Sequence, residues 1–205
     1  MRYQKLKRIL VFAGIILMMF FCKSGNIRAD VYKDGLITVK HEELPVKRDG
    51  QRIQFGHPHK LSEAYITNVL SSIHYEEKGL FKKKGILRVF HDEEIKKLVP
   101  LLARAFSIAT QIQVITATSY SYRMILSDKM NYCILFVTDH SLNIVFGSVH
   151  KFQTFNDVMS EKKKYLTTRE NPAKKRRSSF WKLIPSAGQQ LEPDHENWLI
   201  IDLSK

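Results

Sequence analysis

The sequence predicts an α+β fold, a mainly antiparallel sheet with two helices packed on one face. Three observations carry this expectation. Residues 61–73 and 95–109 repeat apolar side chains every three or four positions, the period of a helix with one buried face. Around them lie short apolar or alternating runs closed by turn residues, the pattern of strands. The resulting order, β-β-α-β-α-β-β-β-loop-β, lacks the regular strand–helix alternation of a parallel sheet and so favours antiparallel pairing.

Each element has a local reason. Asp34-Gly35 turns the chain into Leu36-Ile37-Thr38-Val39, and Asp49-Gly50 turns it into Gln51-Arg52-Ile53-Gln54-Phe55. Two short β segments bounded by turns make a hairpin or meander. Pro58 ends the second strand, and Ser62 caps the first helix by accepting a bond from an orphan amide. Leu61, Tyr65, Ile66, Val69, Leu70 and Ile73 form its apolar stripe. A lysine-rich linker, Phe81-Lys82-Lys83-Lys84-Gly85, leads to a strand over residues 86–90. The second helix opens on His91-Asp92-Glu93-Glu94, an acidic turn favourable against the positive end of the helix dipole. With His91 as cap, Phe90 and Ile95 stand where a hydrophobic staple forms. Ile95, Leu98, Val99, Leu102, Ala105, Phe106 and Ala109 are its buried stripe, and Pro100 should kink it by removing one hydrogen bond.

The remainder reads as β structure. Ile112, Val114, Thr116, Thr118 and Tyr120 alternate along one face, and residues 132–138 and 142–152 are two strands joined at Asp139-His140-Ser141. Charge and Ser/Pro/Gly content make residues 153–190 a basic loop, and residues 198–203 close the chain as an apolar strand. Residues 30–205 read as a single α+β domain, within the size one core supports.

The first two dozen residues differ from all of this. Arg2, Lys5, Lys7 and Arg8 precede a fourteen-residue apolar run, residues 9–22, with no polar face. A bilayer-spanning helix needs about 20 apolar residues, whereas a signal-peptide core has about 7–15. The segment therefore reads as a bacterial export signal. Three outcomes stay open: cleavage after Ala29, lipidation at Cys22, or a retained anchor. Cys22 follows the apolar core directly, as a lipobox cysteine does, although Met19-Phe20-Phe21 is bulky where small residues are usual. Cys133 is the one other cysteine, so no intrachain disulfide can brace the mature domain. In its apolar run it reads as a small buried hydrophobe, not as the thiolate of a catalytic pair.

The formal net charge is +13, and four of the positive charges belong to the export segment. Residues 161–182 hold nine basic residues against two acidic ones. Lys162, Lys163, Lys164, Lys174, Lys175, Arg176 and Arg177 lie there, with Tyr165, Phe180 and Trp181 interleaved. Cations with aromatics among them can hold acidic groups while the rings contact sugar or lipid. The opposing possibility is a loop kept soluble by its charge. His57-Pro58-His59 is a second candidate, because two imidazoles two residues apart in extended chain can share a metal. It lacks a third ligand at a recognisable spacing, and the opposing reading is a loop that positions the first helix. A Gly-x-Ser-x-Gly elbow, a phosphate-binding glycine loop and a His-Glu-x-x-His helix are all absent from the sequence.

The stretch over residues 57–146 resembles a loose family of uncharacterised bacterial exported proteins, often lipoproteins. His57-Pro58, the helix from Leu61, Arg88-Val89-Phe90 with Glu94-Ile95, Pro100-Leu101-Leu102-Ala103-Arg104-Ala105 and Leu135-Phe136-Val137 with Leu142 carry the resemblance. It implies an envelope location and brings no catalytic residues with it.

Together these readings predict an exported envelope protein of the periplasm, outer membrane or cell surface. They predict a binding protein without enzymatic activity or cofactor, a surface adhesin or an assembly factor. Its partner is expected to be an acidic polymer, an anionic membrane surface or another envelope component, and not nucleic acid. Lys162, Lys163, Lys164, Lys174, Lys175, Arg176, Arg177 and Trp181 are the expected binding residues. The alternative is a metal-dependent hydrolase built on His57 and His59.

Overall fold

A computed structural model describes residues 30–34, 37–48, 50–79, 85–121, 129–152 and 171–203. The export segment with Cys22, residues 81–84 of the lysine-rich linker, and Lys162, Lys163 and Lys164 lie outside the described residues.

The fold is α+β with antiparallel sheets. Seven strands form the main sheet in the order β1 (Asp30–Asp34), β2 (Ile37–Glu42), β7 (Val114–Ser121), β8 (Lys129–Thr138), β9 (Ser141–Phe152), β12 (Trp198–Asp202) and β11 (Gln189–Leu191). Every neighbouring pair runs antiparallel. Strands β8 and β9 meet at the two-residue turn Asp139-His140, and β8 reads as an apolar run because both of its faces are buried. Cys133, Leu135 and Val137 face one core while Ile134 and Phe136 face the other, as the alternation of a strand requires.

The first core lies under the helices. Helix α1 (Glu63–Ser71) begins at Ser62, whose hydroxyl accepts from the Tyr65 amide at 3.1 Å, and it buries Ile66, Val69 and Leu70. Helix α2 (Asp92–Ile108) continues through Pro100 and buries the predicted stripe, with Ala109 buried just beyond its end. A three-stranded sheet packs on this same face in the order β10 (Trp181–Ile184), β5 (His74–Glu77), β6 (Ile86–Arg88). Tyr75, Trp181 and Leu183 join the helices' core.

The second face of the main sheet is covered by irregular chain. Leu44, Val46 and Phe55 pack on Val114, Ile134, Phe136, Val145 and Trp198, flanked by a small hairpin of β3 (Lys47–Arg48) and β4 (Gln51–Arg52). Arg48 clamps that hairpin down. It donates twice to Glu192, from Nε at 2.8 Å and from Nη2 at 2.6 Å, and its guanidinium lies 5.5 Å from the centre of the Trp198 ring.

Three local expectations change. The predicted strand over residues 51–55 shrinks to β4: the Ile53 amide still bonds to the Val46 carbonyl, but the Phe55 amide turns to the Gln111 carbonyl and the Phe55 side chain enters the second core. Ile112 is exposed in the turn before β7, which starts at Val114. The region predicted as a loop to residue 190 contains a 3-10 turn (Pro172–Lys174), all of β10 and the start of β11.

Candidate functional site

Strand β9 carries the first wall of a cleft. Its ladder with β8 pairs Cys133 with Phe146 but Tyr132 with Ser148, leaving Gly147 as an extra residue, and a second irregularity follows before Lys151 pairs with Met130. Bulges of this kind re-aim the side chains beside them. At Gly147 the reason is a close approach: a Cβ there would sit 2.7 Å from the Tyr132 ring and 3.3 Å from Pro172. The second irregularity puts His150 in the left-handed region, at φ 45°.

A buried polar network holds His150 in that conformation. Asn131 accepts from the His150 amide at 2.9 Å, and the Asn131 side chain donates to the Val89 carbonyl and to Glu94. Glu94 also accepts from Ser119 at 2.6 Å and from the His91 amide at 2.9 Å. The His150 ring meets the Tyr75 hydroxyl at 2.8 Å through Nδ1 and the Val89 carbonyl at 2.8 Å through Nε2, and it stacks on His91. A carbonyl can only accept, so Nε2 carries the proton and Tyr75 donates to Nδ1. Burial, before any other influence, holds the His150 pKa below the usual histidine value.

The second wall comes from the described part of the basic stretch, residues 171–182, and it is fixed by its backbone. Asn171 is buried, donates to the Pro45 carbonyl at 2.8 Å, and caps the 3-10 turn by accepting from the Ala173 amide. Further on, the Arg176 carbonyl accepts from the Glu196 amide and the Phe180 carbonyl from the Lys78 amide. The Lys78 ammonium reaches the Ser178 carbonyl at 2.9 Å and also pairs with Glu196. These bonds pin what would otherwise be a solvated loop.

Between the walls lies a cleft of about 740 Å3. Among the described lining residues Lys151, Lys175 and Arg177 supply the cations, and Glu77 is the one carboxylate. Tyr75, Phe152, Phe180 and Trp181 supply aromatic surface. Phe152 is 60% exposed and Phe180 69% exposed, while Trp181 is only 7% exposed and belongs mostly to the core. The chain leaves the 3-10 turn extended at Lys175, with φ −99° and ψ 127°. In extended chain alternate side chains share a side. Accordingly Lys175 and Arg177 line the cleft, whereas Lys174 and Arg176 are exposed but do not. Lys182 is committed to an ion pair with Glu76 at 3.0 Å.

The predicted set is therefore divided. Lys175, Arg177 and Trp181 come together, and Lys174 and Arg176 stand apart. Sequence reasoning missed Tyr75, His150, Lys151 and Phe152. The one local sign was the change from apolar to His-Lys-Phe at the end of β9.

The other candidate, His57-Pro58-His59, sits at the far edge of the helix core. His57 is 2% exposed, with both ring nitrogens buried and without a hydrogen-bond partner. Its ring lies 6.1 Å from that of Phe55 and 5.7 Å from that of Phe106. Burial first, then the neighbouring His41 and His59, lower its pKa to about 4. The backbone here joins elements: Gly56 donates to Val137 and His59 donates to Phe106. Among the described residues no group of three His, Cys, Asp or Glu side chains is placed to hold a metal. Cys133 is buried in β8, and burial pushes its thiol pKa far up, which favours the inert thiol. No helix among the described residues is long and apolar enough to cross a membrane.

In comparisons with known proteins, the chain matches no family model, no curated protein and no solved structure.

Proposed function

We propose that this chain is an exported bacterial envelope protein that binds an acidic partner in the cleft between β9 and the basic stretch, without turning it over. The observation that supports the reading is the convergence of Lys151, Lys175 and Arg177 on one concavity, where Glu77 is the one carboxylate among the described lining residues. Cations on a fixed backbone bind an anion with little ordering cost, which sets this stretch apart from a charged loop. The basic-then-apolar leader and the resemblance to exported proteins support the location. An acidic polymer, an anionic membrane surface and an acidic envelope component all meet the charge requirement.

The test compares wild type with Lys175→Gln/Arg177→Gln and with Lys174→Gln/Arg176→Gln on a heparin column and on phosphatidylglycerol vesicles. Exposed charges are screened over about 8 Å at physiological ionic strength, so retention should fall as salt rises. The first pair should cost most of the binding at unchanged melting temperature, and the second pair distinctly less. Equal retention of all three proteins overturns the reading.

A further inference from the structure

We infer that the occupant of this cleft is an acidic oligosaccharide, whose ring faces lie on Phe152 and Phe180 and whose carboxylate or sulfate groups meet Lys175 and Arg177. The inference rests on the anion-binding reading above and narrows it to one ligand class.

Four features converge on a sugar. The first is shape. A volume of about 740 Å3 falls inside the range of about 300–1,000 Å3 typical of pockets for discrete organic ligands. A bilayer presents a plane, and a protein meets it with projecting side chains; here the cations line a concavity. The second is the aromatic surface. Phe152 and Phe180 are large apolar rings, 60% and 69% exposed, at the rim of a charged site. A phenyl ring offers nothing to a bare phosphate or sulfate, yet it packs well on the apolar C–H face of a sugar ring. The Lys129 ammonium lies 5.2 Å from the centre of the Phe152 ring and helps to fix its orientation. The third is the polar lining. Ser148, Ser178 and Ser179 line the same cleft, and hydroxyl groups that both donate and accept suit a polyhydroxylated ligand. The fourth is charge. Lys151, Lys175 and Arg177 against Glu77 select an acidic sugar over a neutral one. A guanidinium at Arg177 can grip a carboxylate or sulfate with two parallel bonds, which an ammonium cannot.

The test uses the full chain, with a heparin tetrasaccharide, inorganic polyphosphate of matched charge and phosphatidylglycerol vesicles as probes. The variants are Phe180→Ala and Arg177→Gln. Both side chains are exposed, so both variants should keep the wild-type melting temperature. Arg177→Gln should weaken the tetrasaccharide by about tenfold or more, the usual scale of a lost charge-assisted bond. Phe180→Ala should weaken the tetrasaccharide by about fivefold and leave polyphosphate binding unchanged, because only the sugar presents a face to stack. Polyphosphate binding as tightly as the sugar, with Phe180→Ala altering neither, overturns the inference while the anion-binding reading stands. Tight binding to vesicles without binding to the tetrasaccharide overturns it in favour of a lipid surface. Failure of wild type to bind any of the three overturns both.

Discussion

His57 should make the fold sensitive to mild acid. Its ring is sealed against Phe55 and Phe106, with no hydrogen-bond partner for either nitrogen, so the folded state favours the neutral form. Its pKa there is about 4, against about 6.5 in an unfolded chain. Between these two values the unfolded chain binds a proton that the folded chain refuses. Stability is therefore complete above about pH 6.5 and declines as pH falls toward 4. The span corresponds to roughly 3 kcal/mol at one pKa unit per 1.36 kcal/mol. Urea unfolding of wild type and His57→Phe, measured from pH 7.5 to pH 4, reads this directly. His57→Phe removes both unpartnered nitrogens and keeps an aromatic ring, so its pH slope should be shallower and the two curves should diverge by roughly 3 kcal/mol at the acid end. His150 titrates in the same direction in both proteins and cancels from the difference. Parallel curves would refute the argument that a sealed neutral imidazole sits in this core.

Three further outcomes are expected. Phe106→Ala should lose about 3–5 kcal/mol in chemical denaturation, because the ring is 1% exposed beneath the sheet. Gly147→Ala should lower stability by about 1–3 kcal/mol, since the new methyl group drives into the Tyr132 ring; an unchanged melting temperature would mean that the ring moves aside at no cost. Deleting residues 2–22 should leave the protein in the cytoplasm, and normal envelope fractionation of the shortened chain would sink the export reading.

The helices were legible because their signals are local. Ser62 stands at the cap it was expected to occupy, and every residue of the second stripe from Ile95 to Ala109 that was read as buried is buried. The long strands β8 and β9 were legible for a related reason, since continuous apolar runs need only a core on both sides. The sheet that holds the basic stretch in place was not. Strand β5 is His-Tyr-Glu-Glu, with no apolar run of its own; it pairs with β6 nearby, and Trp181–Ile184 joins its other edge from more than a hundred residues away. The same distance hid the site. Charge located Lys175 and Arg177, but nothing local shows that Tyr75 and His150 stand opposite them. Glu94 marks a subtler limit. It reads as part of an acidic first turn, yet it is buried and takes three hydrogen bonds, one from the amide of its own helix cap and two that tie α2 to β7 and β8.

The place of β12 has a consequence for the order of assembly. It is the last strand in sequence, yet it lies inside the main sheet, with β9 on one side and β11 on the other. Until residues 198–202 have been made, one edge of β9 offers its amides and carbonyls to any passing chain, and Val145 lacks the Trp198 that pairs with it. Bare edges of this kind invite mispairing during synthesis. They also keep a nascent chain from closing early. A sheet that locks only when β12 docks between β9 and β11 makes completion of the core wait on residues 198–202.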